Sequence, residues 1–307
     1  MRIGGINMAD TAGHVHIMGI LNLTPDSFSD GGKYTDLDRA LTHTEEMLRD
    51  GAEIIDLGAE STRPGYIPVS AEEEACRLVN VLREIKKRFD APVSVDTYKA
   101  RVMDAVFSEG ADLGNDIWGF RYEELHPEEL DPDFSLTMAE VVAKHGKPVV
   151  LMQNDLMERQ AELRQEAQWQ RSGISARGRE DVLVRVRDGL ARSLEIAAEK
   201  GIGKDRILLD PGVGFAKTLK ENRQVLAGLG CIRELGCPML LGASRKSVIG
   251  DTLQLPPEER EEGTLVTSIL AAQAGYGFVR VHDVRKNRRA LDFYERIMEE
   301  RGWYGDS

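Results

Sequence analysis

The chain has 307 residues, of which 41% are hydrophobic and 30% are charged, a composition typical of globular proteins. The formal net charge of −12 argues against a protein that binds nucleic acids or membrane surfaces in general, because such proteins need an excess of basic residues. Three cysteines without CxxC spacing predict reduced thiols in the cytoplasm, and we expect neither a signal peptide nor a membrane-spanning segment.

Short apolar runs alternate with longer amphipathic segments along the chain, and these patterns predict strands and helices respectively. The predicted strands cover residues 15–21, 54–58, 93–96, 112–115, 149–152, 207–209, 239–241 and 278–281. The predicted helices cover residues 37–49, 71–88, 99–108, 136–144, 182–200, 219–229, 260–274 and 285–300. Eight strand–helix pairs without a linker rich in Pro, Gly or Ser predict an α/β protein, a single (β/α)8 TIM barrel covering residues 1–307.

Two segments depart from this alternation. Residues 122–135 are acidic and contain two prolines, so we expect an irregular excursion there. Residues 155–180 are predicted to be an inserted or extended segment, either a solvated helix or loop or a cap over the mouth of the barrel.

Polar or charged residues follow nearly every predicted strand. In a parallel barrel these positions meet at one rim, where the active sites of such barrels form. They are Asn22, residues 60–63, Asp96, Asn115, Asp116, Gln153, Asn154, Asp210, residues 244–247, Arg280 and His282. Any one of these side chains could have a purely structural role, forming hydrogen bonds with its neighbours in the rim. As a set, they predict a functional site.

The chemistry of this set divides into two groups. The acceptors and amides Asp96, Asn115 and Asp210 suit a flat, nitrogen-rich ring. The basic group suits a phosphate or a carboxylate, and it consists of Arg63, Arg245, Lys246, Arg280 and His282. Asn22, together with the acidic residues of the loop after the first strand, could hold Mg²⁺ against phosphate oxygens.

Other kinds of site are disfavoured by the sequence context. Ser244 lacks the G-x-S-x-G pattern that surrounds a hydrolase nucleophile. His14 and His16 lie at the first predicted strand, where we expect packing or surface roles rather than metal binding, because the histidines show no metal-ligand spacing.

Seven motifs in order make the chain resemble the dihydropteroate synthase family over nearly its full length. They read GILNLTPDSFSDGG, IIDLGAESTRPG, VSVDTYKA, ND-I-x-G, ILLDPGVGF, GASRKS and VRVHDV. The resemblance implies a TIM barrel, usually a homodimer, in folate biosynthesis. It also implies a transferase that joins 6-hydroxymethyl-7,8-dihydropterin diphosphate to 4-aminobenzoate, releases diphosphate, uses Mg²⁺ and is a target of sulfonamides.

The resemblance implies roles for individual residues. The pterin ring would contact Asp96, Asn115, Asp210 and Lys246, and Met152 is a further substrate-binding candidate. The diphosphate would contact Asn22, Arg280 and His282, and Mg²⁺ would bind Asn22 and Asp30. The aminobenzoate would meet Thr62, Arg63 and Ser247, with apolar contacts from Phe28, Pro64 and Phe215. The catalytic candidates are Asp30, Asp96, Lys246, Arg280 and His282.

The behaviour of the enzyme is predicted from the same positions. Residues 24–32 read as a mobile flap carrying Phe28 and Asp30, so we expect pterin diphosphate to bind before aminobenzoate. Thr62 and Arg63 are adjacent, which predicts normal sulfonamide sensitivity. Leu291, Phe293 and Ile297 are candidates for a dimer interface.

The chain departs from the family pattern at two positions. Gln153 stands where the family often has His, which puts a proton-handling role there in doubt, and Ala59 stands where a second Gly is usual. Two alternatives stay open: a non-catalytic pterin-binding paralogue and a methyltetrahydrofolate:corrinoid methyltransferase. The methyltransferase shares the ring-binding cluster but has no use for the SRKS motif or the diphosphate loop.

Overall fold

The computed structural model describes residues 1–8, 13–23, 33–60, 69–129, 131–154, 156 and 181–303. The predicted flap at 24–32 and nearly all of the predicted insertion at 155–180 therefore lie outside the described residues. Within the described part of the chain, no helix is both long enough and apolar enough to cross a lipid bilayer.

Eight parallel strands form the centre of the molecule, as predicted. In chain order they are β3 (His16–Asn22), β4 (Ile54–Gly58), β5 (Val93–Asp96), β6 (Leu113–Asp116), β7 (Val149–Met152), β8 (Ile207–Asp210), β9 (Leu240–Leu241) and β10 (Phe278–Val281). Consecutive strands pair from β3 to β8, and β10 pairs with both β3 and β9. A parallel bridge between Leu209 and Met239 joins β8 to the β9 region and closes the ring. The prediction of a (β/α)8 barrel is confirmed.

Helices surround this ring on its outer face. They are α1 (Lys33–Arg49), α2 (Ala71–Arg88), α3 (Ala100–Ser108), α4 (Tyr122–Leu125), α5 (Met138–His145), α6 (Val182–Glu199), α7 (Leu219–Ala227), α8 (Leu229–Ile232), α9 (Ser247–Leu253), α10 (Glu261–Gln273) and α11 (Val284–Trp303). Single 3₁₀ turns lie at Pro127–Glu129, Lys204–Arg206, Arg233–Leu235 and Pro257–Glu259. The main apolar core fills the layer between the strands and these helices.

Local side-chain chemistry explains where several helices begin and end. Thr137 and Thr218 each form a capping box with the glutamate three residues later, so α5 begins at Met138 and not at 136 as predicted. The predicted helix 219–229 ends early, at Ala227, and a separate turn of helix follows Gly228. The predicted irregular excursion at 122–135 contains the one-turn helix α4 and a 3₁₀ turn.

A short hairpin at the amino terminus, β1 (Arg2–Ile3) and β2 (Ile6–Asn7), was not predicted. Ile3 and Met8 are buried in the same apolar cluster as residues from seven of the eight barrel strands, Met18, Ile54, Leu113, Val150, Leu208, Leu240 and Phe278. The hairpin therefore fills the amino-terminal end of the barrel interior, the end opposite the rim where the site lies.

One of the three predicted interface residues on the last helix, α11, proves to be a core residue. Leu291 is fully buried in the core, so it packs inside the subunit and offers nothing to a partner. Phe293 and Ile297, by contrast, are 69% and 45% exposed on the same helix.

Candidate active site

The carboxyl ends of the strands bring the predicted ring-binding residues together. Asp96 ends β5, Asp210 ends β8, and Asn115 lies one residue before the end of β6. Asn115 and Asp210 are buried, and Asp96 is largely buried. The strand-end pattern in the sequence therefore located these three side chains correctly.

Arg280 connects this cluster to a carboxylate that the sequence analysis missed. Its Nε atom donates to Asp56 Oδ2 at 2.6 Å, and a terminal guanidinium nitrogen donates to Asp96 Oδ2 at 2.8 Å. The Asn115 amide donates to the same Asp56 oxygen at 3.4 Å. Asp56 is fully buried, and its other oxygen, Oδ1, has no hydrogen-bond partner among the described residues. Arg280 thus lies with the ring-binding acceptors and leaves one buried acceptor free for a donor from a ligand.

The turn after β8 forms the other side of the site. The Gly212 N–H donates to Asp210 Oδ1 at 2.7 Å, which fixes the carboxylate. Gly212 has φ +66°, and a Cβ there would lie 1.8 Å from the Gln153 carbonyl oxygen, so only glycine fits. Lys246 passes Gly214 and donates from Nζ to the Val213 carbonyl at 2.5 Å. Its ammonium lies 4.5 Å from the centre of the Phe215 ring.

Burial sets the electrostatics of this site. It raises the pKa of Asp96 to about 7, with the charge of Asp56 adding to the effect, although Arg280 opposes it. Burial likewise raises the pKa of Asp210 above its ordinary value, although Lys246 opposes it. It lowers the pKa of Lys246 to about 8, although Asp210 opposes that shift. Arg280 keeps its charge, because Asp56 and Asp96 outweigh burial and raise its pKa.

Gln153 supports the turn after β8. Lys217 Nζ donates to Gln153 Oε1 at 2.5 Å and also to the carbonyl oxygens of Gly212 and Phe215. Gln153 itself is buried. The amide that replaces the family's frequent histidine therefore has a structural partner close to the site. Met152, the residue before it, packs in an apolar cluster with Tyr98, Ile117 and Trp118, and Phe215 lies against that cluster.

Three of the predicted anion-binding residues line a second region of the rim. A cavity of about 530 Å³ is bordered by Asn22, His282 and Arg245, and also by Arg39 and His43 of α1. Ser244 orients His282, because its hydroxyl lies 2.9 Å from His282 Nδ1 and accepts the His282 backbone N–H at 3.2 Å. Ser244 therefore supports the site, a role that the absence of a nucleophile motif did not suggest.

Part of the predicted site cannot be compared with the structure. Phe28, Asp30, Thr62, Arg63 and Pro64 lie outside the described residues. Ser247 is described, and it is exposed as the first residue of α9. Of the predicted aminobenzoate contacts, the described residues therefore include only Ser247 and Phe215.

Comparison with known proteins places this site in a family. A family model described as pterin binding enzyme matches residues 18–282. The chain is 46% identical to a dihydropteroate synthase of Clostridium beijerinckii over 284 residues, covering 92% of this chain and 94% of the relative. It is 45% identical to the dihydropteroate synthase of Bacillus subtilis over 286 residues, covering 93% and 90% of the two chains.

Solved structures agree with these sequence relatives. A Clostridium difficile dihydropteroate synthase crystallised in the presence of pteroic acid matches with a TM-score of 0.80 and 39% identity, covering 94% of this chain and 98% of that one. A Xanthomonas albilineans dihydropteroate synthase with 4-aminobenzoic acid matches with a TM-score of 0.78 and 36% identity, covering 93% of both chains. The chain belongs to the dihydropteroate synthase family.

Proposed function

We propose that this protein joins 6-hydroxymethyl-7,8-dihydropterin diphosphate to 4-aminobenzoate, giving 7,8-dihydropteroate and diphosphate. The observation that carries the proposal is the buried cluster of Asp56, Asp96, Asn115 and Asp210 beside two cations, Lys246 and Arg280. An array of acceptors with few donors suits a flat ring that presents several N–H groups on its edge. A pterin has such an edge.

Each ring contact has a physical reason. The carboxylates of Asp96 and Asp210 would accept hydrogen bonds from the ring N–H and amino groups, and the free Oδ1 atom of Asp56 adds a buried acceptor. Leaving these acceptors unpaired in a buried site costs about 1–3 kcal/mol each, so a ligand with matching donors is favoured. Met152 would contact a face of the ring.

The departing diphosphate needs positive charge at the other side of the reacting carbon. We assign this role to Arg280 and His282. His282 borders the cavity that also contains Arg245 and Arg39, and this supports its part of the assignment. Asn22 fits a Mg²⁺ ligand, because its amide has no hydrogen-bond partner among the described residues and borders this cavity. Mg²⁺ uses few protein oxygens and completes its shell with water and phosphate. When bound by Asn22 and Asp30, it would supply further positive charge to the phosphate oxygens.

The reaction breaks the bond between the pterin methylene carbon and the diphosphate oxygen, and the electron pair leaves with diphosphate. The electron-rich pterin ring delocalises the positive charge that develops on the carbon, and the nearby Asp96 carboxylate favours it. The arylamine nitrogen then forms the new bond and loses a proton to solvent. The protein contributes positioning and stabilisation of the leaving group, so no strong general base is required.

The remaining assignments concern the second substrate and the assembly. We assign 4-aminobenzoate binding to Thr62, Arg63 and Ser247, with apolar contacts from Phe28, Pro64 and Phe215, and we propose that pterin diphosphate binds first. Measurable aminobenzoate binding without pterin or diphosphate would contradict the ordered sequence. Unchanged turnover at a large excess of sulfonamide over aminobenzoate would contradict an unaltered aminobenzoate pocket.

We further propose a cytoplasmic homodimer. The exposed side chains Phe293 and Ile297 on α11 support the interface, together with Val266 on α10, which is 59% exposed. The cysteines Cys76, Cys231 and Cys237 are all free, in agreement with a reducing compartment. Sedimentation of the wild type and of Phe293→Ser tests the dimer. An unchanged dimer in that variant would exclude this face.

A coupled assay for diphosphate release tests the main proposal. Release should require both substrates, and Asp96→Asn should lower kcat/KM for pterin diphosphate by roughly 10- to 100-fold, because one buried charge-assisted hydrogen bond is weakened. Asp188→Asn on α6 is the matched control, since its carboxylate is 65% exposed on the outer face. Pterin binding without turnover would instead support the non-catalytic paralogue, and methyl transfer to a corrinoid would support the methyltransferase.

A further inference from the structure

A cluster of two histidines and a glutamate lies at the end of the barrel opposite the active site. His14 and His16 stand two residues apart at the start of β3, so their side chains share one face of the extended chain. Glu53 directly precedes β4, the neighbouring strand. Because parallel strands all begin at the same end of a barrel, these residues lie at the amino-terminal face, far from the strand ends that carry Asp96 and Asp210.

The three side chains converge on one point. His14 Nε2 lies 2.9 Å from Glu53 Oε1, and His16 Nδ1 lies 2.6 Å from Glu53 Oε2. One ligand atom from each residue can be chosen so that all three lie within 4.8 Å of one another. Ligands around a tetrahedral ion with bonds of about 2.0–2.1 Å are separated by roughly 3.4 Å, so small side-chain movements suffice to surround one.

A second carboxylate holds the first histidine in the orientation that a metal ligand needs. His14 Nδ1 lies 3.2 Å from Glu295 Oε2 on α11. Glu295 is itself fixed by the Val15 N–H at 2.9 Å and by Arg288, whose guanidinium donates to both carboxylate oxygens at 3.0 Å. Histidines that bind metal usually donate their other ring N–H to such a carboxylate, which fixes the tautomer and raises the basicity of the ligating nitrogen.

The environment of His16 supports the same reading. Its ring packs at 5.0 Å from the Phe278 ring and 4.8 Å from the His14 ring, and Glu53 is its only hydrogen-bonding side-chain partner within the part of the chain that the structure describes. An ion bound between the three side chains would replace the two hydrogen bonds from the histidines to Glu53 and leave the contact between His14 and Glu295 in place. His14 is 43% exposed, which gives an ion access from solvent.

We propose that His14, His16 and Glu53 form a binding site for a divalent transition-metal ion such as Zn²⁺, with Glu295 as the outer carboxylate. Two imidazoles and one carboxylate with an open fourth position match the ligand preferences of Zn²⁺, whereas Mg²⁺ prefers oxygen ligands only. The expected role is structural, because the site would tie the first barrel strand to the last helix. The proposal is independent of the proposed transferase activity and replaces the packing or surface role predicted for His14 and His16.

Titration of the full chain with Co²⁺ and Zn²⁺ tests this site. Co²⁺ should give the visible absorption of a four-coordinate ion, and Zn²⁺ should bind with one more equivalent in the wild type than in His14→Gln. Removal of the outer carboxylate in Glu295→Gln should weaken Zn²⁺ binding by roughly 10- to 100-fold. Zn²⁺ should raise the Tm of the wild type but not that of His16→Gln.

His145→Gln is the matched control, because His145 is a histidine at the end of α5 that pairs with Asp104 at 2.7 Å and belongs neither to this cluster nor to the proposed active site. It should leave the Co²⁺ spectrum and the Zn²⁺ stoichiometry unchanged. Circular dichroism of each variant confirms that it is folded, and the exposed His14 position keeps at least one variant informative. The proposal is overturned if the wild type shows no Co²⁺ band, or if His14→Gln and His145→Gln bind the same number of Zn²⁺ ions.

Discussion

Asp56 is the buried carboxylate whose removal should change how the enzyme depends on pH. The change is Asp56→Asn, which deletes one negative charge but keeps the size and one oxygen of the side chain. Arg280 and Asp96 remain paired at 2.8 Å. We expect the pKa of Asp96 to fall, because the charge of Asp56 is one of the causes that raise it to about 7.

The magnitude follows from the shared guanidinium. Carboxylates on two nitrogens of one guanidinium lie about 5 Å apart, and two unit charges at that distance repel by roughly 3 kcal/mol at an effective dielectric constant of about 20. That energy corresponds to about two pKa units, and the guanidinium between the two carboxylates screens part of the repulsion, so we expect a shift of about one unit.

The assay is the pH profile of kcat/KM for pterin diphosphate, which reports groups on the free enzyme. Asp96 is ionised above its pKa and loses its charge as pH falls, so the wild-type profile should decline below about pH 7. In Asp56→Asn the decline should begin about one unit lower, even if the maximum rate is reduced. Asp116→Asn is the control, because Asp116 is a second buried carboxyl whose pKa is raised to about 7 by burial. If the decline at low pH stays at the same pH in Asp56→Asn, or shifts only in Asp116→Asn, then Asp96 is not the group that causes it.

Three further predictions rest on single positions. Burial lowers the pKa of Lys246 to about 8, so activity should decline above that pH as the ammonium loses its proton. Lys246→Arg should remove this alkaline decline while lowering the rate. If the decline stays at the same pH in that variant, Lys246 is not the group that causes it. Gly212→Ala should abolish pterin binding and lower the Tm, because the new Cβ would overlap the Gln153 carbonyl oxygen. Gly230→Ala, which has open space around its Cβ, should leave pterin binding and the Tm unchanged. Equal losses in the two variants would contradict the steric argument. Gln254 is exposed and has φ +59°, a left-handed backbone conformation that glycine adopts with less strain. Gln254→Gly should therefore increase the free energy of unfolding in urea by up to about 1 kcal/mol. A decrease would show that the hydrogen bond from the Gln254 side chain to the Asp251 carbonyl outweighs the strain.

The sequence allowed the barrel and much of its rim to be predicted because both depend on local pattern. Asp96, Asn115 and Asp210 stand at the ends of apolar runs, where a polar residue in a parallel barrel can point only toward the rim. Asp56 was not predicted as a site residue because it lies inside the run Ile54–Gly58 rather than at its end. Only its charge among apolar neighbours distinguished it. Its importance depends on Arg280, which is 224 residues away in sequence.

Other features depended on distant contacts that no local pattern contains. The strands β1 and β2 have two residues each, too few to show a periodicity. Ser244 orients His282 from 38 residues away. The partner that fixes His14 lies on the last helix, 281 residues along the chain, so the histidine pair alone suggested packing and not a site.

The amino-terminal hairpin has a consequence for the order of folding. The hairpin precedes the barrel strands in the sequence, but the apolar cluster that buries Ile3 and Met8 is completed by Leu240 and Phe278, which lie more than 230 residues further along the chain. The hairpin can therefore be buried in this cluster only after those distant strands have joined the barrel. Contacts between such distant segments fold slowly, and the unfilled barrel end exposes apolar surface until they form. We therefore expect the docking of residues 1–8 to be a late step of folding, because their apolar partners come from strands all around the barrel.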